Sequence, residues 1–349
     1  MPSPGDGRGG AMRVMAIRES IGPDGLFLEQ RPMPVPGPRE VRVAVVATAV
    51  NRADLLQSLG KYPAPIGAPA DVPGLEFAGV VSELGAECTQ LTLGERVMGI
   101  VAGGSYAEHL VVDERLCVRV PAGMPLAVAG ALPEALVTVH DALVTRGGLQ
   151  GGMRLLVHAA TSGIGTMAVK LGRALGAEVW ASTRRASASE PLREIGADHV
   201  LLVGDQGLEA AVAEAKIAGT VHVILELVGA AYLPGDLQAI RTGGAIVVVG
   251  TLGHARAEFE LGTLMRKRAC LHGTVLRSRT IDEKITATHA AFSVAERVGL
   301  GALQPVIAAR FALADAADAH RRVLLGDRVG RVAIDVAPEG FLGETTGDP

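Results

Sequence analysis

The sequence predicts an α/β protein: a doubly wound parallel sheet follows a β-rich lobe. Three observations carry that expectation. Across residues 155–275, short apolar runs alternate regularly with helical segments, the pattern of βαβ units. The run Leu155-Leu156-Val157-His158-Ala159-Ala160-Thr161-Ser162-Gly163-Ile164-Gly165 passes from a buried strand through a turn of small residues into a helix. Composition fits as well, since 48% of the 349 residues are apolar, only 3% are aromatic, and there are 45 glycines. Such a core is built from Ala, Val and Leu, which suits parallel strands and tight turns.

Residues 1–11 are polar and rich in Gly and Pro, with no apolar segment of a secretory signal, and read as a loose tail. Strands are expected at 12–17, 41–50, 79–83, 96–100 and 108–112, separated by glycine turns. The proline-rich run 32–38 is an extended connection that cannot be helical. A helix is expected between Pro133 and Arg146, leading into the alternating region. Strands follow at 155–159, 178–182, 199–203, 221–225, 245–249 and 270–275. A long helix at 281–298 and strands near 306–311 and 330–336 complete the chain, and 338–349 reads as a second tail. The expected domains are 12–133 with 276–337, and 134–275.

The turn after residue 159 is the centre of the functional reading. Ile164, Met167 or Ala168, Leu171 and Leu175 recur at helical spacing, and Gly176 stops the helix before the next strand. In this setting the amides of Thr161, Ser162, Gly163, Ile164 and Gly165 are expected to close on a pyrophosphate, aided by the helix dipole. The glycine pattern is loose, because Ala160 and Ser162 stand where G-x-G-x-x-G has its first two glycines. The net charge of −4 and the lack of a basic–aromatic stripe exclude nucleic acid as the expected partner. No apolar segment reaches spanning length, so no membrane helix is expected. The odd, scattered cysteines Cys88, Cys117 and Cys270 fit reduced thiols in the cytoplasm.

Several motifs resemble the medium-chain dehydrogenase/reductases, specifically their zinc-free quinone oxidoreductase branch. They are Asn51-Arg52-Ala53-Asp54, Gly60-Lys61-Tyr62-Pro63, Pro73-Gly74-Leu75-Glu76-Phe77-Ala78-Gly79 and Gly104-Ser105-Tyr106-Ala107-Glu108. They continue with Leu132-Pro133-Glu134-Ala135-Leu136-Val137-Thr138, the glycine turn, and Leu276-Arg277-Ser278-Arg279. The last motif, with Asn-Arg-Ala-Asp, looks most like the tumour-suppressor-inducible quinone oxidoreductase subgroup. The similarity extends from about Met12 to Asp335. It implies a GroES-like β-barrel-type catalytic domain beside a Rossmann domain, and a homodimer joined through the Rossmann sheets.

Zinc enzymes of that superfamily take ligands at a Cys, a His within Gly-His-Glu, and a later Cys. Here Asn51, Leu75 and Glu134 occupy those places, and the lobe with four close cysteines is absent, so no metal is expected. The stretch after the second Rossmann strand, Thr183-Arg184-Arg185-Ala186-Ser187, offers guanidinium groups where an NAD enzyme offers a carboxylate. Relatives carry Gly-Ser and then Lys there. Arginine meets a 2′-phosphate with paired hydrogen bonds, so NADPH is the expected cofactor, with Arg184 and Arg185 sharing the phosphate; the alternative is a solvated loop with incidental charge.

The resemblance also implies that Asn51 and Tyr62 lie beside the nicotinamide and the acceptor. Tyr62 is expected either to hydrogen-bond an acceptor oxygen and relay a proton or to serve only as a turn residue. Asn51 reads either as a catalytic neighbour or as a strand-end cap. Leu56 stands where some relatives have a second tyrosine, which makes the acceptor pocket more apolar. Thr138, Val228, Gly250, Thr251, Leu276 and Arg277 complete the expected cofactor contacts, each also explicable as ordinary helix, turn or surface residues. The expected reaction is hydride transfer from NADPH to a quinone. The alternatives are reduction of the C=C bond of an enal, enone or enoyl thioester, and NADPH binding with a mainly non-catalytic role.

Overall fold

The computed structural model describes residues 10–253, 255–258 and 260–337. Most of the two expected tails, 1–11 and 338–349, therefore lies outside the described residues. The first strands are β1 (Ala11–Ile17), β2 (Leu26–Pro32) and β3 (Glu40–Ala49). Helix α1 (Arg52–Ser58) precedes β4 (Glu76–Leu84), β5 (Arg96–Ile100), β6 (His109–Asp113) and β7 (Cys117–Arg119). Two helices follow, α2 (Leu126–Ala129) and α3 (Pro133–His140), and α3 runs on as a π-helical turn over Asp141–Arg146.

The alternating region comprises β8 (Arg154–Val157), α4 (Gly163–Ala174), β9 (Glu178–Thr183), α5 (Ser189–Ile195), β10 (His199–Leu202) and α6 (Gly207–Glu214). It continues with β11 (Val221–Glu226), α7 (Leu233–Ala239), β12 (Ile240–Val248), α8 (Leu261–Lys267) and β13 (Cys270–Gly273). The chain then forms α9 (Ile281–Val298), β14 (Ile307–Ala312), α10 (Ala316–Leu324) and β15 (Arg331–Asp335). A full capping box sets the start of α9: Thr280 Oγ1 accepts from the Glu283 amide, and the Glu283 carboxylate accepts from the Thr280 amide.

The chain divides into two compact units. The first runs through Glu134 and takes Ala309–Gly326 and the chain from Val332; the second is Ala135–Ala308 with Asp327–Arg331. The return expected at 276 thus comes at 309, a correction with a clear cause. Helix α9 packs on the 3-10 turn Leu300–Leu303, which in turn packs on α4, so 276–308 stays with the dinucleotide fold.

In the first unit β3 is the hub, pairing antiparallel with β4, β6 and β15, and β4 leads on to β5 and β7. Strands β1 and β2 form a separate hairpin. In the second unit six parallel strands lie in the order β10-β9-β8-β11-β12-β13. Numbered within that unit, this is the 3-2-1-4-5-6 order of a dinucleotide-binding sheet, with its topological switch point between β8 and β11. Leu156, Val212, Ile217, Val221, Ile224, Ile240 and Ile246 form much of the core on one face. No helix among the described residues is long and apolar enough to cross a membrane.

Candidate nucleotide-binding site

Strand β8 ends two residues earlier than its apolar run, and the chain turns sharply through Ala159, which holds φ at +43°. An L-residue in that region costs about 1–2 kcal/mol, and the turn is held by hydrogen bonds on both sides. The Ala160 amide donates to Ser182 O at the end of β9, and the Ser162 amide donates to Ala159 O at 2.9 Å. Ser162 caps α4, its Oγ accepting from the Gly165 amide at 3.0 Å. That leaves the first-turn amides of Gly163 and Ile164 with no protein acceptor among the described residues, at the positive end of a 12-residue helix.

Gly165 has a packing reason to be glycine. A Cβ there would lie 2.4 Å from Ala159 O and 2.6 Å from Ala160 Cα. At Gly163 a Cβ would lie 2.8 Å from Cγ of Arg331, which is buried over the helix start. The Gly330 amide donates to Thr161 O at 2.9 Å, so the 327–331 segment forms one wall of the turn. Sequence reasoning missed that wall, because nothing in the local pattern of 327–331 points to a turn more than 160 residues earlier.

The end of β9 brings up the expected 2′-phosphate residues. Thr183 Oγ1 accepts from the Arg185 amide at 3.1 Å. The Arg185 guanidinium is engaged by backbone carbonyls, donating to Asp327 O and, at 2.7 Å, to Arg328 O. Arg184 is exposed and makes no ion pair or hydrogen bond among the described residues. The two arginines therefore differ: Arg185 anchors the 327–331 segment, and Arg184 extends from the strand end.

Beyond the switch point, the β11 end is shaped by Glu226, whose Oε1 accepts from the amides of Val228 and Gly229. The Gly253 amide donates to Val228 O at 2.8 Å, tying this bend to the loop after β12. Gly250, Thr251, Thr274 and Val275 line a cleft of about 400 Å³ at the ends of β12 and β13. Thr138, Leu276 and Arg277 are buried. Near them Asp141 accepts from Arg279 Nη2 at 2.6 Å, Thr274 Oγ1 at 2.6 Å and Arg146 Nε at 3.0 Å. Thr138, 161–165, 183–185, Val228, Gly250, Thr251, Leu276 and Arg277 all fall within the second unit.

Asn51 and Tyr62 lie in the first unit. Asn51 caps α1 in a capping box with Asp54, and its Nδ2 donates to Glu76 Oε1 at 2.9 Å. Glu76 is fully buried and also accepts from the Glu134 amide through Oε2 at 3.1 Å. Asp54 Oδ1 accepts from the Gly74 amide, which fastens the helix to the Pro73–Leu75 turn. Tyr62 is half-buried on the loop after α1. This donor set does not fit a catalytic zinc. The three ligand places carry an amide that donates to a carboxylate, an apolar Leu75 and a single carboxylate, Glu134.

The sequence matches the family described as alcohol dehydrogenase GroES-like domain over residues 37–122, and the family described as zinc-binding dehydrogenase over residues 163–291. It is 29% identical over 307 residues to a mycocerosic acid synthase-like polyketide synthase of Mycobacterium tuberculosis. That match takes in 87% of this chain but only 14% of the synthase. A mycobacterial protein solved in complex with NADPH superposes with a TM-score of 0.82 at 25% identity, covering 93% of this chain and 100% of that one. A quinone oxidoreductase of Pseudomonas syringae pv. tomato superposes with a TM-score of 0.82 at 25% identity, with the same coverage of both chains.

Proposed function

We propose that this chain, a member of the medium-chain dehydrogenase/reductase superfamily, is an oxidoreductase that reduces a quinone with NADPH and without a metal. The observation that carries this reading is the pair of open amides, Gly163 and Ile164, at the start of α4, with Arg184 at the neighbouring strand end. The amides and the helix dipole bind a pyrophosphate, and Arg184 takes the 2′-phosphate while Arg185 holds the wall beside it. NADPH held there would supply the hydride. Tyr62 donates a hydrogen bond to the acceptor oxygen as negative charge builds there. Asn51, fixed by Asp54 and Glu76, keeps the α1 end rigid. The solved relatives support the reading, one by its bound NADPH and the other by being a quinone oxidoreductase.

The test is steady-state oxidation of NADPH and NADH against ortho- and para-quinones, enones and enoyl thioesters. Faster turnover with NADPH and a quinone supports the reading; preference for NADH overturns the cofactor assignment. A charge-assisted arginine–phosphate contact contributes about 1.5–3 kcal/mol, so Arg184→Ala should weaken NADPH by roughly ten- to a hundredfold and leave NADH little changed. Equal effects on both contradict the role given to Arg184.

The polyketide synthase relative favours a second reading, reduction of an activated C=C bond such as that of an enoyl thioester. Higher kcat/KM with enoyl thioesters than with any quinone would select it. Tight NADPH binding with no turnover on any acceptor would select a non-catalytic role. We further propose a homodimer through the free edge of β13. Leu261, Met265, Leu271 and Val275 are exposed along that side, and an open apolar strand edge invites a second copy. The free thiols of Cys88, Cys117 and Cys270 support residence in the reducing cytoplasm.

A further inference from the structure

At the switch point, under the loops that end β8 and β11, Glu226 belongs to a polar cluster whose other members none of the roles above uses. The side chains of His158, Glu226 and Asp236 are 0%, 1% and 0% exposed. His158 Nδ1 lies 2.7 Å from Ser182 Oγ, and its Nε2 lies 2.7 Å from Asp236 Oδ1. Glu226 Oε2 stands 3.8 Å from the same Nε2. Glu226 spends its other oxygen on the Val228 and Gly229 amides. Glu226 Oε2 and Asp236 Oδ2 are then left without a donor from the surrounding side chains and backbone.

Two ionised carboxylates cannot face each other in a dry site at acceptable cost. One proton between Glu226 Oε2 and Asp236 Oδ2 gives both oxygens a partner. A metal ion fits less well. Ligand atoms about 2.0–2.2 Å from an ion stand about 3.4 Å apart in tetrahedral geometry, whereas His158 and Asp236 are already at hydrogen-bond distance. The other groups facing the pair are consistent with a single added proton. Burial pushes the His158 imidazole down, so the ring is neutral, donating from Nε2 and accepting at Nδ1 from Ser182. The Tyr232 ring stands edge-on to His158 at 4.9 Å; burial pushes its hydroxyl up, and Arg184 acts on it in the opposite direction.

We propose that Glu226 and Asp236 share one proton and, oriented by His158, act as positioning residues that hold the Val228–Gly229 bend in the shape the dinucleotide needs. The proposal rests on the reading of the β11 end as part of the cofactor site. Burial pushes both carboxyls well above the usual carboxylate range, so the pair gives up its shared proton only in alkaline solution. Glu226, still holding both amides, is then repelled by Asp236 and draws the bend out of the shape it has in the one-proton form.

NADPH titrations at about pH 7 and about pH 9, followed by fluorescence, read the effect. With the competent form falling from about 90% to about 10%, the dissociation constant should rise about tenfold. Glu226→Gln keeps an acceptor for the amides and gives Asp236 a permanent donor. Asp236→Asn gives Glu226 one while still accepting from His158. Both variants should bind with the same affinity at the two pH values. Infrared difference spectra should show a deuterium-sensitive carboxylic-acid carbonyl stretch in the native protein and in neither variant. Binding by the native protein that is equal at both pH values, an equal pH slope in Glu226→Gln, or the absence of that stretch overturns the proposal. No NADPH binding at either pH overturns the proposal and the cofactor reading together, whereas pH-independent binding overturns the proposal alone.

Discussion

Gly165→Ala tests whether the nucleotide turn works through close backbone packing. The three atoms nearest an added Cβ are all backbone, Ala159 O at 2.4 Å, Ala160 Cα at 2.6 Å and Ala160 C at 2.8 Å. Unstrained carbon contacts lie at about 3.5–4.0 Å, so roughly 1 Å of retreat is required. No flexible side chain can supply it. Either α4 backs away from the turn or the turn around Ala159, already at positive φ, opens. Overpacking of this kind costs about 1–3 kcal/mol. At about 2–4 °C per kcal/mol for a large domain, the melting temperature should fall by about 2–12 °C. The Gly163 and Ile164 amides move with the helix. Losing one charge-assisted bond of about 1.5–3 kcal/mol weakens NADPH at least about tenfold. Calorimetry and a fluorescence titration read the two effects, with Gly301→Ala as the silent control, since nothing lies within 4 Å of its Cβ position. An unchanged melting temperature with unchanged affinity would refute the reasoning.

Three further outcomes follow from the geometry. His320 is buried with its Nε2 3.1 Å from the Tyr106 hydroxyl, and burial pushes it down to about 3. The unfolded chain takes up this proton near pH 6.5, so its stabilisation is complete above that pH. It is lost at about 1.4 kcal/mol per pH unit as the pH falls toward the folded value. Urea midpoints at about pH 7 and about pH 5 should therefore separate more for the native protein than for His320→Gln; equal separations contradict the assignment. Arg279→Met leaves the buried Asp141 carboxylate with only Arg146 and Thr274, a loss of about 3 kcal/mol visible in urea unfolding. A change below about 0.5 kcal/mol, the ordinary surface value, would show that the pair is solvated. Tyr62→Phe should lower kcat for quinone reduction by about 10²-fold if the phenol carries the proton, with the NADPH dissociation constant unmoved. Unchanged kcat removes Tyr62 from the chemistry.

Much of the second unit was legible because its signals are local. The run from Leu155 to Gly165, the stop at Gly176 and the apolar strands gave a six-stranded sheet whose observed order places the turn at the switch point. Helix α9 matches its expected span because its capping box and its glycine stop are both in the sequence. Strands β2 and β7 went unread, β7 being only three residues long, and so did α10, although its buried Ala316, Ala319 and His320 recur at helical spacing. The return of the chain at 309 was read too early, since which unit a helix joins depends on its packing partners. In the candidate site, the turn and both arginines were visible, but their division of labour was not. Arg185 is engaged by Asp327 and Arg328 carbonyls that approach only in the folded chain. The shared site of His158, Glu226 and Asp236 was hidden for the same reason. His158 falls in the expected strand 155–159, and its two carboxylate neighbours lie 68 and 78 positions later, on β11 and α7.

Diffraction from crystals grown with NADPH tests the central claim most directly. Pyrophosphate oxygens should lie on the Gly163 and Ile164 amides and the 2′-phosphate against Arg184, with no anomalous zinc signal near Asn51, Leu75 or Glu134. Density for the dinucleotide away from the start of α4, or a zinc ion bound at those three residues, would contradict it.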